Sequence, residues 1–239
     1  MFDYTLTRSN RKTIAIYIRN GGVEVRAPLR MSIRKIERFI QEKQDWINSN
    51  LTESKELSKR KESFMLNYGD MVLYCGRQYA ITPSSSGRFQ NGETSYPGGV
   101  SSNNFFIPAD LPHEQIKTAC VKIYKILAKS DLTLKAYEYA AKMGVMLGVD
   151  IRPSSVKINS AASRWGSCSA KKRLNFSWRL IMADEEVIDY VVVHELAHLI
   201  EMNHSARFWA VVERVLPDYR EWRKRLRELQ QKLNAEDWD

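Results

Sequence analysis

Apolar and polar positions alternate along residues 4–8 and 12–18, with Ile14, Ile16 and Ile18 on one side. This period of two predicts two strands. Asn20-Gly21-Gly22 is a hairpin signal, and residues 23–27 return as the partner strand until Pro28 stops it. The period then changes. Behind Ser32, a good N-cap, Ile33, Ile36, Phe39, Ile40, Trp46 and Ile47 make one apolar stripe of a helix. Residues 48–61 are charged and weakly periodic, and read as a continuation of that helix or as a solvated connector. A second hairpin is predicted from residues 71–75 and 78–82 around Gly76-Arg77. Residues 84–104, rich in Ser, Gly and Asn, read as a long loop or a mobile hairpin tip, and 105–107 as a short strand.

The second half is predominantly helical. Pro112 sits at a helix start. Ile116, Ala119, Cys120, Ile123 and Leu127, then Leu134, Tyr137, Ala140 and Ala141, keep helical spacing in one long helix or two end to end, closing near Gly144 or Gly148. His113, at its exposed start, reads as a surface residue. Residues 155–159 and 173–178 are expected to pair as an antiparallel hairpin, with Arg164-Trp165-Gly166-Ser167-Cys168-Ser169 between them. Asp184 is placed to cap an apolar helix through Val187, Ile188 and Tyr190 to Val193, and Glu185 and Glu186 oppose the positive end of its dipole. Ser205 caps a further helix that Pro217 interrupts, and Asp218 with Glu221 resembles a capping box that restarts it. The pattern is α+β: an N-terminal β-rich region with a helix over residues 1–110, then an antiparallel sheet packed on the apolar helix, with C-terminal helices, over 111–239.

Composition narrows the class. A chain of 239 residues with 44% apolar and 27% charged residues can build a substantial core. It has no run of the ~20 apolar residues that a membrane span needs. The N-terminal residues show no apolar signal region, and three scattered cysteines fit a reducing compartment, so a cytoplasmic location is expected. The formal charge of +9 makes a nucleotide or nucleic-acid partner conceivable, but the basic clusters are short and not interleaved with aromatics.

The chemistry concentrates in one segment. Three of the four histidines, His194, His198 and His204, fall within eleven residues. His194 and His198, four apart on a helix, point the same way one turn apart, with Glu195 angled to the same side. This is the H-E-x-x-H arrangement, in which two imidazoles bind Zn²⁺ and the glutamate handles the proton of the activated water. His204 lies six residues on. It reaches the same ion only if the helix stops after His198, because six helical residues would turn it to the opposite face. Asn203 is the residue expected to turn the chain in a left-handed conformation. The sheet edge next to this helix is suited to hold an extended peptide by strand addition.

Arg164 to Ser169, together with Asp189-Tyr190-Val-Val-Val-His194-Glu195-Leu-Ala-His198 and Asn203-His204-Ser205-x-x-Phe208-Trp209, resembles the YgjP-like metallopeptidases, relatives of the SprT-like and WLM zinc-dependent proteases. The resemblance also takes in Val25-Arg26-Ala27-Pro28 and Trp46-Ile47. It implies a gluzincin-like or minimal zincin core, one zinc ion on His194, His198 and His204, and Glu195 as general base. Position 201 is Glu where metzincins have Gly, and no Met-turn methionine follows, so the chain is set apart from that group.

The leading expectation is therefore a zinc-dependent metallohydrolase cutting peptide or protein substrates. Arg164 or Tyr219 are candidate oxyanion donors, and Trp165 and Cys168 pack around the site. Two other readings stay open. One is a phosphoanhydride hydrolase with Arg164, Lys171 and Arg173 on the phosphates. The other is a non-catalytic module stapled by zinc, against which Glu195 argues, since a structural site gains nothing from an acid beside its ligand.

Overall fold

Alternation of Val23, Val25 and Ala27 builds the first core. They lie on β3 (Gly22–Pro28), the middle strand of a sheet that also holds β1 (Tyr4–Ser9) and β2 (Ala15–Arg19) in the order β1-β3-β2. β2 and β3 form the expected antiparallel hairpin, and β1 joins the other side of β3 in parallel. The computed structural model describes residues 3–19, 21–84, 89–91, 94–96 and 98–238, so Asn20 of the hairpin signal lies outside the described residues. The inward side chains of β3 pack on Ile36 and Ile40 of α1 (Ile33–Glu42) and Ile47 of α2 (Gln44–Glu62). The single predicted helix is thus two, separated by Lys43 at φ −104°, ψ 12°. Residues 48–61 are helical. Their weak periodicity has a plain cause: Ile47 is the one fully buried residue of α2. These elements, with residues 231–237, form one compact unit; residues 65–230 with Trp238 form a second.

In the second unit β4 (Met71–Tyr74) and β5 (Arg77–Ser84) meet at Cys75-Gly76, whose φ angles of 46° and 75° are the left-handed pair of a two-residue hairpin. β6 (Phe89–Asn91) and β7 (Thr94–Tyr96) pair with each other. β8 (Gly99–Ser101) turns through Ser102 and Asn103, both at positive φ, into β9 (Asn104–Pro108). The larger sheet runs β4-β5-β9-β8. The Ser/Gly/Asn-rich stretch therefore contains strands; residues 85–88, 92, 93 and 97 of it lie outside the described residues.

The predicted long helix is a single one. α3 (His113–Leu147) has 35 residues, about 52 Å at the usual rise, and ends at Gly148 with φ 67°. His113 is exposed. Every third or fourth residue of α3 from Ile116 to Met143 is buried. Tyr124 is its centre, 4.8 Å from the Phe105 ring and 5.5 Å from Trp178, with Trp238 closing the cluster at 5.7 Å.

The next sheet corrects an expectation. β10 (Ser155–Asn159) and β12 (Arg173–Ser177) run parallel, not as an antiparallel hairpin. The hairpin partner of β12 is β11 (Gly166–Cys168), turned by Lys172 at φ 56°, so the order is β10-β12-β11 and the sheet is mixed. The connection from Ser160 to Lys172 is long enough for a parallel return, which needs roughly a dozen residues. It carries β11 across to the far edge. A buried 3₁₀ turn, Trp178–Met182, leads to α4 (Glu185–Ala197), followed by α5 (Ala206–Val215) and α6 (Tyr219–Asn234).

α4 is buried almost all round. Asp189, nine residues before His198 and so half a turn round the helix from it, accepts hydrogen bonds from Lys135 Nζ and Tyr139 Oη of α3, each at 2.7 Å. This pair fixes the rotation of α4. Asp184 occupies the N-cap position without a side-chain cap bond; its carboxylate lies 3.5 Å from Arg225 instead. No helix among the described residues is long and apolar enough to cross a membrane.

Gly76 is a point where the chain tolerates nothing larger. Its φ is left-handed, and a Cβ there would collide with the Asp184 side chain and lie 2.8 Å from the Asp184 Cα. Gly76→Ala should cost about 2 kcal/mol in chemical denaturation; an unchanged midpoint would show that the hairpin and the start of α4 are free to separate.

Candidate metal centre

The apolar run of α4 delivers His194, Glu195 and His198 from a rigid element. After Ala197 the helix tightens: Leu199 and Ile200 N–H bond to Leu196 and Ala197 carbonyls, and the chain bends through residues 202 and 203. Asn203 does not take the expected left-handed conformation, since its φ is not positive. The reversal is made by the tightened turn and by the Ser205 N–H bonded to the Asn203 carbonyl at 2.7 Å. Ser205 then caps α5 as expected, its hydroxyl accepting from Phe208 N–H at 3.3 Å.

The turn brings the third histidine home. One ring nitrogen from each of His194, His198 and His204 lies within 4.8 Å of the others, a grouping able to hold a metal ion. His194 Nε2 and His204 Nε2 are 2.9 Å apart. Zinc–nitrogen bonds of about 2.05 Å at tetrahedral angles place ligand atoms roughly 3.3 Å apart, close to this spacing. His198 Nδ1 donates to the Glu201 carbonyl at 3.2 Å, which leaves its Nε2 lone pair for the ion. His194 Nδ1 is buried without a protein partner.

The electrostatics fit a cation. Burial, followed by the charges of His198, His204 and Arg223, pushes His194 down to about 3, so it presents an unprotonated ring at neutral pH. Burial also lowers His198. Glu195, 6% exposed, is pushed up to about 8 by burial, only partly countered by Arg164. A carboxylate in such a place lacks compensation, and an adjacent divalent ion would supply it.

β11 passes Glu195 closely. A Cβ at Gly166 would lie 2.7 Å from Glu195 Cγ and Oε1, so only glycine permits the approach. Arg164, exposed just before β11, is near enough to lower Glu195. Cys168, on the same strand, feels the Glu195 charge, and burial first and then that charge raise its thiol to about 11; it is not in the metal-binding group. Tyr219 is not an open donor but 5% exposed, its ring stacked on Trp209 at 5.3 Å and on Tyr190 at 6.4 Å.

Residues 12–229 match the model of the YgjP-like metallopeptidase domain. The chain belongs to this family. As a YgjP-like protein it is a metal-dependent peptidase. Among solved structures, the chain is similar to the metallopeptidase zymogen of Pyrococcus abyssi abylysin, 27% identical, with a TM-score of 0.36 over 43% of this chain and 98% of that one. No curated protein matches it in sequence.

Sequence reading missed the wall of this YgjP-like site. Phe208 and Trp209 entered only as positions of the motif, with no role at the site, yet their rings lie 4.9 Å and 5.8 Å from His194, and Trp209 stacks on His204 at 5.7 Å. Arg223 was also missed: its guanidinium lies 5.3 Å from the Trp209 centroid. The available signal was its place four residues after Tyr219, on the same face of α6.

Two outcomes test the geometry. His204→Ala should lose most of its zinc on dialysis, by elemental analysis; full retention would remove His204 from the ligand set. In chelated protein, folded Glu195 keeps its proton to about pH 8, while the unfolded chain releases it near 4.5. Between these values the folded state binds the extra proton, so stability falls as pH rises. Glu195→Gln removes that loss, and its melting temperature should gain on the wild type progressively from pH 4.5 to 8. A constant difference would contradict the buried acid.

Proposed function

We propose that this peptidase is zinc-dependent, with one ion held by His194, His198 and His204 and with Glu195 as general base. The carrying observation is the convergence of three imidazole nitrogens, at most 4.8 Å apart, beside a buried glutamate on the same helix. Zinc bound there supplies a Lewis acid that polarises a carbonyl and brings the pKa of water to about 7.

The chain does the rest. With a cation alongside, Glu195 is drawn back from its raised pKa and ionises, ready to take the proton of the attacking water at a carboxylate oxygen. The same oxygen then delivers that proton to the leaving nitrogen. β11 is the edge strand of its sheet, with β12 on one side and no strand on the other among the described residues. An extended peptide added to that free edge lies along Gly166, beside Glu195. The neutral His194 adds no positive charge to compete with the ion.

The net charge of +9 is what favours a nucleotide substrate, and neither the family nor the fold adds to it. Zinc-loaded protein should cleave denatured casein and release no phosphate from a nucleotide panel. Glu195→Gln should lower the casein rate by at least about a hundredfold with zinc content unchanged. Phosphate release abolished by the same substitution would move the assignment to phosphoanhydrides. An unchanged casein rate would leave zinc as a structural staple.

A further inference from the structure

Residues 220–227 of the C-terminal helix carry a run of five cations whose partners divide it into two sets. Arg220 pairs with Glu213 at 2.9 Å, Arg225 with Glu221 at 2.9 Å and Asp184 at 3.5 Å, and Lys224 with Glu228 at 3.9 Å. Arg223 and Arg227 have no carboxylate within 4.0 Å among the described residues. These two are also the cations of α6 whose charge reaches the metal face: both act on Tyr190, and Arg223 acts on His194.

Arg223 is held there. Its guanidinium lies 5.3 Å from the centroid of Trp209, whose ring is 5.7 Å from His204 and 5.8 Å from His194. Trp209 is itself stacked on buried Tyr219. A guanidinium resting on a fixed indole loses little freedom when it binds and keeps its planar fork available for a bidentate acceptor. Arg164 is the cation whose charge reaches Glu195. The reacting centre is thus bordered by guanidiniums, while the acids of α6 are engaged elsewhere.

We propose that Arg223 forms, beside the histidine cluster, a subsite for a carboxylate of the peptide substrate. The ligand is an Asp or Glu side chain near the scissile bond or the free carboxylate of a peptide end. This rests on the peptidase reading above and adds a substrate class to it. Arg223 makes no bond in the reaction; it orients and selects.

The test uses the full-length zinc-loaded protein and two forms of denatured casein, one untreated and one with its carboxyls converted to methylamides. Wild type should cleave the untreated form about tenfold faster, the value of one charge-assisted bidentate contact. Arg223→Met keeps an apolar stem over Trp209 and removes the charge. It should bring the ratio near one, the amidated form reporting any change in rate common to both substrates. Arg225→Met makes the same charge change at a paired position and should keep the ratio. Sequencing the products by mass spectrometry separates the two carboxylate sources: cuts beside Asp or Glu, or cuts at a fixed distance from chain ends.

A second readout needs no turnover. On the Glu195→Gln background, calorimetry with a glutamate-containing hexapeptide and its glutamine counterpart should show tighter binding of the former, lost with Arg223→Met and weakened by salt. An unchanged preference in Arg223→Met, or an equal loss in Arg225→Met, overturns the subsite while the peptidase reading stands. Absence of any Glu195-dependent cleavage overturns the peptidase reading, and the calorimetric preference then decides the carboxylate site by itself.

Discussion

Glu195 is confined from two directions, and much of the second unit serves that confinement. From below, α4 is buried along nearly its whole surface, and Asp189 is clamped to Lys135 and Tyr139 on the face away from the ligands. From above, β11 runs so close that Gly166 has no room for a side chain. A helix that slid or rotated would break the clamp or drive Glu195 into the strand. The carboxylate therefore keeps its relation to both the histidines and the sheet edge without any hydrogen bond having to direct it. The cost is a buried acid with a raised pKa, offset once a divalent charge sits beside it.

That confinement also explains which parts of the site were legible. His194, Glu195 and His198 follow from helical spacing, because a buried helix has no other way to display them. The Ser205 cap and the Gly148 stop are local chemistry as well, and both form. β10 does pair with β12, as expected, but its direction was misread, because alternation marks a strand and carries no information on its direction. The short β11, with residues that read as a motif between strands, takes the hairpin position, and β10 is displaced to the other edge. Lys43, between α1 and α2, interrupts a stripe whose spacing is continuous across it. Asn203 was singled out as the best left-handed residue nearby, yet three-residue bonds at the end of α4 achieve the reversal with ordinary φ values.

The supporting shell was hidden for a different reason. Phe208, Trp209, Tyr190 and Tyr219 are apolar or aromatic at helical spacing, the commonest signature of a plain core. Phe208, Tyr190 and Tyr219 are buried and Trp209 is half-buried, and the four also wall the site. Stacked spacings of 5.7, 5.3 and 6.4 Å run from His204 through Trp209 and Tyr219 to Tyr190. Only the return of α5 and α6 against α4 reveals that column, and it depends on contacts between residues far apart in sequence.

Two means of orienting an imidazole operate side by side here. His198 is fixed by a hydrogen bond from Nδ1 to the Glu201 carbonyl, the usual device. His194 has no protein partner at Nδ1; its Nε2 lies 2.9 Å from His204 Nε2, and Tyr190 at 5.9 Å, Phe208 at 4.9 Å and Trp209 at 5.8 Å wall in its ring. A hydrogen bond would also make the ring more basic, whereas an aromatic wall desolvates it and keeps it neutral. The two histidines would thus bring different properties to the ion proposed above: His198 a more electron-rich nitrogen, His194 a ring that does not take up a proton at neutral pH. Glu201 supports His198 through its backbone carbonyl, while its side chain accepts from the Asn203 N–H at 3.5 Å in the turn that leads to His204.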